Sequence, residues 1–120
     1  MRGRASNSLA SVEARSVTGG VREQLTVPTL MLDTLLDHTP APDLVKIDVE
    51  GAEIIVLGGA QRLLSEIRPL LYIEVGKGYQ EEATRILQDA GYELFAGHDT
   101  QFATPIDRCA FNTLARPKAN

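Results

Sequence analysis

Two short apolar runs, each leading straight into a segment of helical period, constrain this chain more than any other feature. The first, Asp43-Leu44-Val45-Lys46-Ile47-Asp48-Val49, is followed by Ala52, Ile55, Val56, Ala60, Leu63 and Leu64 at roughly helical spacing. The second, Leu70-Leu71-Tyr72-Ile73-Glu74-Val75, is followed in the same way by Tyr79, Ala83, Ile86, Leu87 and Ala90. Nearly continuous apolar, β-branched runs of this length read as buried parallel strands, and their alternation with helices predicts an α/β fold. A right-handed crossover through a single helical segment sets the two strands side by side.

Punctuation divides the rest. Pro28 marks an extended or edge segment after Leu25, Asp33 is placed to cap a short helix holding Leu35 and Leu36, and Pro40 and Pro42 end that helix. Glu50-Gly51 is the turn after the first strand. Gly58 and Gly59 break the following helix in two, Pro69 closes it, and Gly91 stands where a helix C-cap glycine belongs. Tyr92 to Phe95 reads as a third strand and Ala110 to Leu114 as a fourth; with no helix between them, these two are expected to run antiparallel. Residues 1–24 carry Arg2, Arg4, Arg15 and Arg22 among Ser and Gly without an apolar period, which reads as a flexible leader; residues 25–116 read as one domain.

Composition removes several classes. A net charge of -4 argues against a phosphate-neutralising, nucleic-acid-binding surface. No stretch approaches the roughly 20 apolar residues of a membrane-spanning helix, and the opening lacks the apolar core of a secretory signal. One cysteine, Cys109, forms neither an internal disulfide nor a cysteine-based zinc site, so a reducing cytoplasm is the expected compartment. Cys109 reads as a small buried hydrophobe, Tyr79 and Tyr92 as core aromatics, and His38 and His98 as solvated loop residues, His98 also being a candidate general base.

The chemistry concentrates at one place. In open α/β sheets ligands bind beyond the carboxyl ends of the strands, and there this sequence sets Asp48, Glu50 and Glu74. Carboxylates gathered at one sheet edge repel unless a cation, a proton or a substrate hydroxyl engages them. Glu53, in the first turn of the helix, is most simply an acid favoured by the helix dipole. Lys46 lies on the same strand face as Asp48 if the strand is regular.

These residues carry a resemblance. Thr29-Leu30-Met31-Leu32-Asp33-Thr34-Leu35-Leu36, then Lys46-Ile47-Asp48-Val49-Glu50-Gly51-Ala52-Glu53, then Val56-Leu57-Gly58-Gly59-Ala60 resemble the FkbM-type methyltransferases. Pro69 to Glu74 and Ala90-Gly91-Tyr92 continue the match, as does Ser6-Asn7-Ser8-Leu9 before it. The resemblance implies a class I (Rossmann-like) methyltransferase sheet, of which this chain retains the half from strand 4 to strand 7. It also implies methyl transfer from S-adenosylmethionine to a hydroxyl oxygen of a sugar or secondary metabolite. Asp48 and Glu50, with Glu74 nearby, would then be catalytic, facing the acceptor or a divalent metal. The glycine-rich loop and ribose-binding acid of that class have no counterpart here, so cofactor binding by this chain alone is expected to be poor.

Two other readings are of different classes. A non-catalytic α/β remnant or interaction module would leave its first strand as an exposed edge, open to homo-oligomerisation. A receiver-like phosphoacceptor domain needs an acidic pair after an earlier strand, which residues 1–24 do not offer.

Overall fold

The computed structural model describes residues 24–119; the expected leader lies, but for Gln24, outside them. Gln24 to Met31 forms no helix or strand, and Leu25, Val27 and Leu30 are exposed. A one-turn helix α1 (Leu32–Leu35) leads to β1 (Leu44–Ile47), α2 (Glu53–Gly58), a π-type helical turn at Leu63–Ile67 and β2 (Leu70–Glu74). Then follow a 3-10 turn at Lys77–Tyr79, α3 (Gln80–Asp89), β3 (Tyr92–Ala96), β4 (Pro105–Ile106) and β5 (Asn112–Pro117).

The five strands form one mixed sheet in the order β1-β2-β5-β3-β4. β1 and β2 are parallel neighbours, with Lys46 opposite Tyr72 and Ile47 opposite Ile73. β5 runs antiparallel to both β2 and β3 and lies between them. The two parallel strands and the antiparallel third and fourth strands thus stand as the sequence predicts. The first strand ends at Ile47 rather than Val49, and the last runs from Asn112 rather than Ala110. β4 was not anticipated: it is two residues long and contains a proline, so it carries almost no strand pattern, and it pairs only with β3 at the sheet edge.

Burial alternates along β2. Leu71, Ile73 and, just beyond, Val75 are fully buried against Leu57, Leu63, Ala83 and Leu87 of the helical layer, whereas Tyr72 and Glu74 are half-buried on the opposite face. This period of two assigns one face of the strand to the core and the other to chemistry.

The helix after the first strand does break at the glycines, but Asp33 caps a different helix from the one expected. Met31, not Asp33, is the N-cap of α1. The Asp33 carboxylate instead accepts hydrogen bonds from the backbone N–H groups of Arg62 (2.9 Å) and Leu63 (3.0 Å), 29 and 30 residues away. It thereby satisfies donors that a helix start leaves free, as a local N-cap does. That second helical segment ends at Arg68, which is left-handed (φ 55°) before Pro69. The Arg68 guanidinium donates to the carbonyls of Ala90, Gly91 and Lys118, joining the helix end to the end of α3 and to the segment beyond β5. Gly91 takes φ 80° at the end of α3, the conformation its expected C-cap role needs.

Replacing Asp33 by alanine removes both bonds at once. Asp33→Ala is expected to lower unfolding free energy by about 1 kcal/mol, the usual worth of an N-cap, with Asp33→Asn losing less. Urea denaturation of the three proteins checks this.

Candidate functional site

The parallel register brings the carboxyl ends of β1 and β2 level, and the acids follow from it. Asp48 leaves the sheet directly after Ile47, and Glu74 is the last residue of β2. Glu50 is carried back towards both by a tight turn in which Glu50 (φ 50°) and Gly51 (φ 97°) are both left-handed, closed by Ala52 N–H donating to the Val49 carbonyl at 3.3 Å. Two successive positive φ values and an i to i+3 bond are the features of a type I′ turn, for which glycine suits the second position. One oxygen each from Asp48, Glu50 and Glu74 lies within 4.8 Å of the others. Asp48 and Glu50 are exposed and Glu74 is half-buried. The structure therefore brings together all three acids singled out from the sequence.

Proximity changes the acid-base behaviour of the site. The Glu74 carboxyl is pushed up from 4.5 to about 7, first by its hydrogen bond with Asp48, then by burial and by the negative charges of Asp48 and Glu50, with Lys46 working the other way. The pair thus holds a proton close to neutral pH. Carboxylate oxygens this close suit three occupants: a shared proton, the hydroxyl of a ligand, or a hard divalent cation, for which carboxylates are the preferred donors.

Glu53 departs from expectation. It is 2% exposed, and its Oε1 accepts the Gly51 N–H at 2.9 Å, while the buried Oε2 has no hydrogen-bond partner among the described residues. An acid that merely favoured the helix dipole would stay in water.

Beside the trio runs an open groove of about 400 Å³ lined by Tyr72, Gly97, His98, Phe111 and Asn112 among others. Tyr72 precedes Glu74 by two on the same strand face, and Asn112 pairs with Glu74 across β2 and β5. Ala96, Gly97 and His98 form the groove's far wall, and the loop that continues from them runs on to Thr104. Gly97 must be glycine there, since a Cβ would stand 2.6 Å from that of Asn112. The Asp99 carboxylate accepts the N–H groups of Ala103 and Thr104. Arg116 lies over both Phe95 and Phe102, with ring centroids 4.9 and 4.8 Å away, and donates to Glu93. Tyr72, Phe111 and Asn112 were not singled out from the sequence; the available signal was the period-two relation of Tyr72 to Glu74. His98 is exposed on this wall, and His38 is exposed elsewhere. Tyr92 is a core residue, as expected, its hydroxyl donating to the Pro69 carbonyl at 3.1 Å. Burial raises the Cys109 thiol, which disfavours the thiolate a nucleophile needs.

Fold and site together define a mixed α/β protein with an acidic centre at the carboxyl ends of two neighbouring parallel strands. The chain matches the FkbM methyltransferase domain over residues 2–94, a span that includes α1, all three acids and β2, and it belongs to that family. No curated protein and no solved structure matches it. Among the described residues, no helix is long and apolar enough to cross a membrane.

The raised Glu74 makes stability depend on pH. Between pH 4.5 and about 7 the folded chain holds a proton that the unfolded chain has released. The stabilising contribution is thus fully present below 4.5 and is lost as pH rises through about 7. Urea denaturation of the wild type is expected to show a lower midpoint at pH 8 than at pH 5 and a smaller difference for Glu74→Gln; equal differences in the two proteins would remove Glu74 as the cause.

Proposed function

We propose that this chain serves the transfer of a methyl group from S-adenosylmethionine to a hydroxyl oxygen of a sugar or secondary metabolite, with Asp48, Glu50 and Glu74 facing that hydroxyl. The observation that carries the reading is the convergence of three carboxylate oxygens within 4.8 Å where parallel β1 and β2 end, in a member of the FkbM family. Strand order supports it. In a class I methyltransferase sheet the last strand runs antiparallel between two strands that share a direction. β5 stands in that relation to β2 and β3, which favours reading β1, β2, β3 and β5 as strands 4, 5, 6 and 7 of a Rossmann-like sheet.

Members of the family normally use S-adenosylmethionine, which supplies an electrophilic methyl group. The groove beside the trio is open, and the roles derived for this chain's residues concern the acceptor. A hydroxyl oxygen that gains a methyl group must lose its proton. The Asp48–Glu74 pair, with Glu74 ionised above about pH 7, is a base matched to that task. Glu50 strengthens the negative field at the same point. Tyr72 and Phe111 offer apolar faces to the body of a ring-shaped acceptor, and Asn112 offers both donors and an acceptor to its hydroxyls. A divalent cation held by the trio is the alternative means of polarising the hydroxyl. A reducing cytoplasm suits the lone buried thiol.

A second reading, a non-catalytic interaction module, is favoured by one observation. Among the described residues β1 is at the end of the strand order, and Leu44, Ile55 and Met31 are 57%, 59% and 60% exposed. Pairing of this edge with another copy of the chain would cover unpaired backbone groups.

Calorimetric titration with S-adenosylmethionine, followed by a labelled-methyl transfer assay on hydroxyl compounds, separates the two. The proposed function expects oxygen-linked label, with only weak binding of the cofactor by this chain alone. Transfer should rise with pH through about 7 and fall on the order of 100-fold or more in Asp48→Asn and Glu74→Gln, the usual scale for loss of a general base. Transfer that both variants retain removes the trio from the chemistry. A folded chain that transfers no label and self-associates favours the second reading. Transfer abolished by a chelator and restored by magnesium assigns the trio to a cation.

A further inference from the structure

We propose that Glu53 is a positioning residue: it holds the Glu50–Gly51 turn in its left-handed conformation and so fixes the Glu50 carboxylate beside Asp48 and Glu74. Its consequence for chemistry rests on the acceptor-facing reading of the trio; the geometry stands by itself.

Three observations converge on it. First, the turn is strained at a non-glycine residue. Glu50 sits at φ 50°, a region that is unfavourable for an L-residue with a Cβ. Such strain persists only where the surroundings over-determine the backbone. Second, the bond that closes the turn, Ala52 N–H to the Val49 carbonyl, is long at 3.3 Å, while the Glu53 Oε1 bond to the Gly51 N–H is 2.9 Å. The side chain two residues on therefore supplies the shorter restraint on the peptide that follows Glu50. Third, Glu53 is 2% exposed and its Oε2 has no partner among the described residues. Burying a carboxylate with an unpaired oxygen is costly. A first-turn acid gains its helix-dipole benefit without burial, so the start of α2 does not account for the position, whereas the turn does.

Glu53 acts through Glu50, not on the pair itself. The groups that act on Glu74 are Asp48 and Glu50, which raise it, and Lys46, which lowers it. If Glu53 keeps Glu50 in place, removing its acceptor oxygen lets the Glu50 charge move away, and Glu74 responds as if that charge had been deleted.

The test is a mutant cycle on the full chain, read by carboxyl-carbon NMR titration of Glu74 and by hydrogen exchange of the Gly51 amide. Glu50→Gln is expected to lower the Glu74 midpoint from about 7. Glu53→Ala should lower it as far, and the double variant no further than either. Glu53→Gln, which keeps an acceptor oxygen at the same reach, should restore both the midpoint and the Gly51 protection. A residue with only a structural role in α2 would leave the Glu74 midpoint unmoved, or would add to Glu50→Gln; either result overturns the proposal. Should Glu53→Ala not fold, Glu53→Leu keeps the volume without the acceptor and carries the same expectations. A wild-type Gly51 amide exchanging at the free-peptide rate overturns the proposal with no variant needed. None of these readouts uses a methyl acceptor, so failure here and failure of the methyl-transfer reading are told apart.

Discussion

The parallel pairing of β1 with β2 is the constraint on which the acidic centre depends. With Ile47 opposite Ile73, the next residue of each strand is an acid, and Asp48 and Glu74 emerge level at the same edge. What holds this register is burial. Ile47 and Ile73 are 3% and 0% exposed, and because strand side chains alternate with period two, a slip of one residue would turn Ile73 to solvent and drive Glu74 into the helical layer. Exposing one such side chain costs about 1.5–3 kcal/mol, and burying an unpaired carboxylate adds several more. The hydrophobic core thus specifies the position of polar groups it never touches.

The site is held together against its own electrostatics. Two carboxylates converge on Glu74, and nothing among the described residues forms an ion pair with any of the three; the nearest opposing influence is the exposed Lys46. Retaining a proton to about pH 7 is how the folded chain limits the repulsion. The left-handed Glu50 adds backbone strain to this electrostatic cost. Arg68 and Phe102 are also left-handed, but only at Glu50 does such strain coincide with a carboxylate of the acidic centre, and strain so placed gathers where a fold serves a ligand rather than itself.

The parts legible in the sequence were those written in local pattern. The two apolar runs named the parallel strands, Gly58-Gly59 and Pro69 marked the helix break and its end, and acids at strand ends pointed to the centre. What escaped was written in contacts between distant residues or in backbone conformation. Asp33 looked like the cap of its own helix because a cap is recognised from the letters beside it, yet its partners are Arg62 and Leu63. Pro105-Ile106 pairs only because β3 offers an open edge. Glu53 has the letter of a first-turn acid, and only the φ values of Glu50 and Gly51, which no letter other than the glycine hints at, turn it inward to the Gly51 N–H.

The face of the sheet opposite the helices carries the remaining logic. Along one row, Tyr72 pairs with Leu114 and Leu114 with Phe95. Phe95 is completely buried, because Phe102 meets it edge-on at 5.2 Å and Arg116 lies over both rings. Leu114 is 7% exposed, and Tyr72, at the end of the row nearest the acids, is only half-buried. Cover therefore thins toward Glu74, and the groove opens where it ends. The loop that continues from its far wall at Gly97 and His98 does not hang loosely: Asp99 ties the loop to itself, Gly97 seats it against Asn112, and Arg116 fastens Phe102. A preformed wall loses little conformational entropy when a ligand arrives. On the acceptor-facing reading of the trio, shape selection thus falls to Tyr72 and Asn112, fixed in adjacent strands, with Phe111 at their margin, and the chemistry to carboxylates set by the same register.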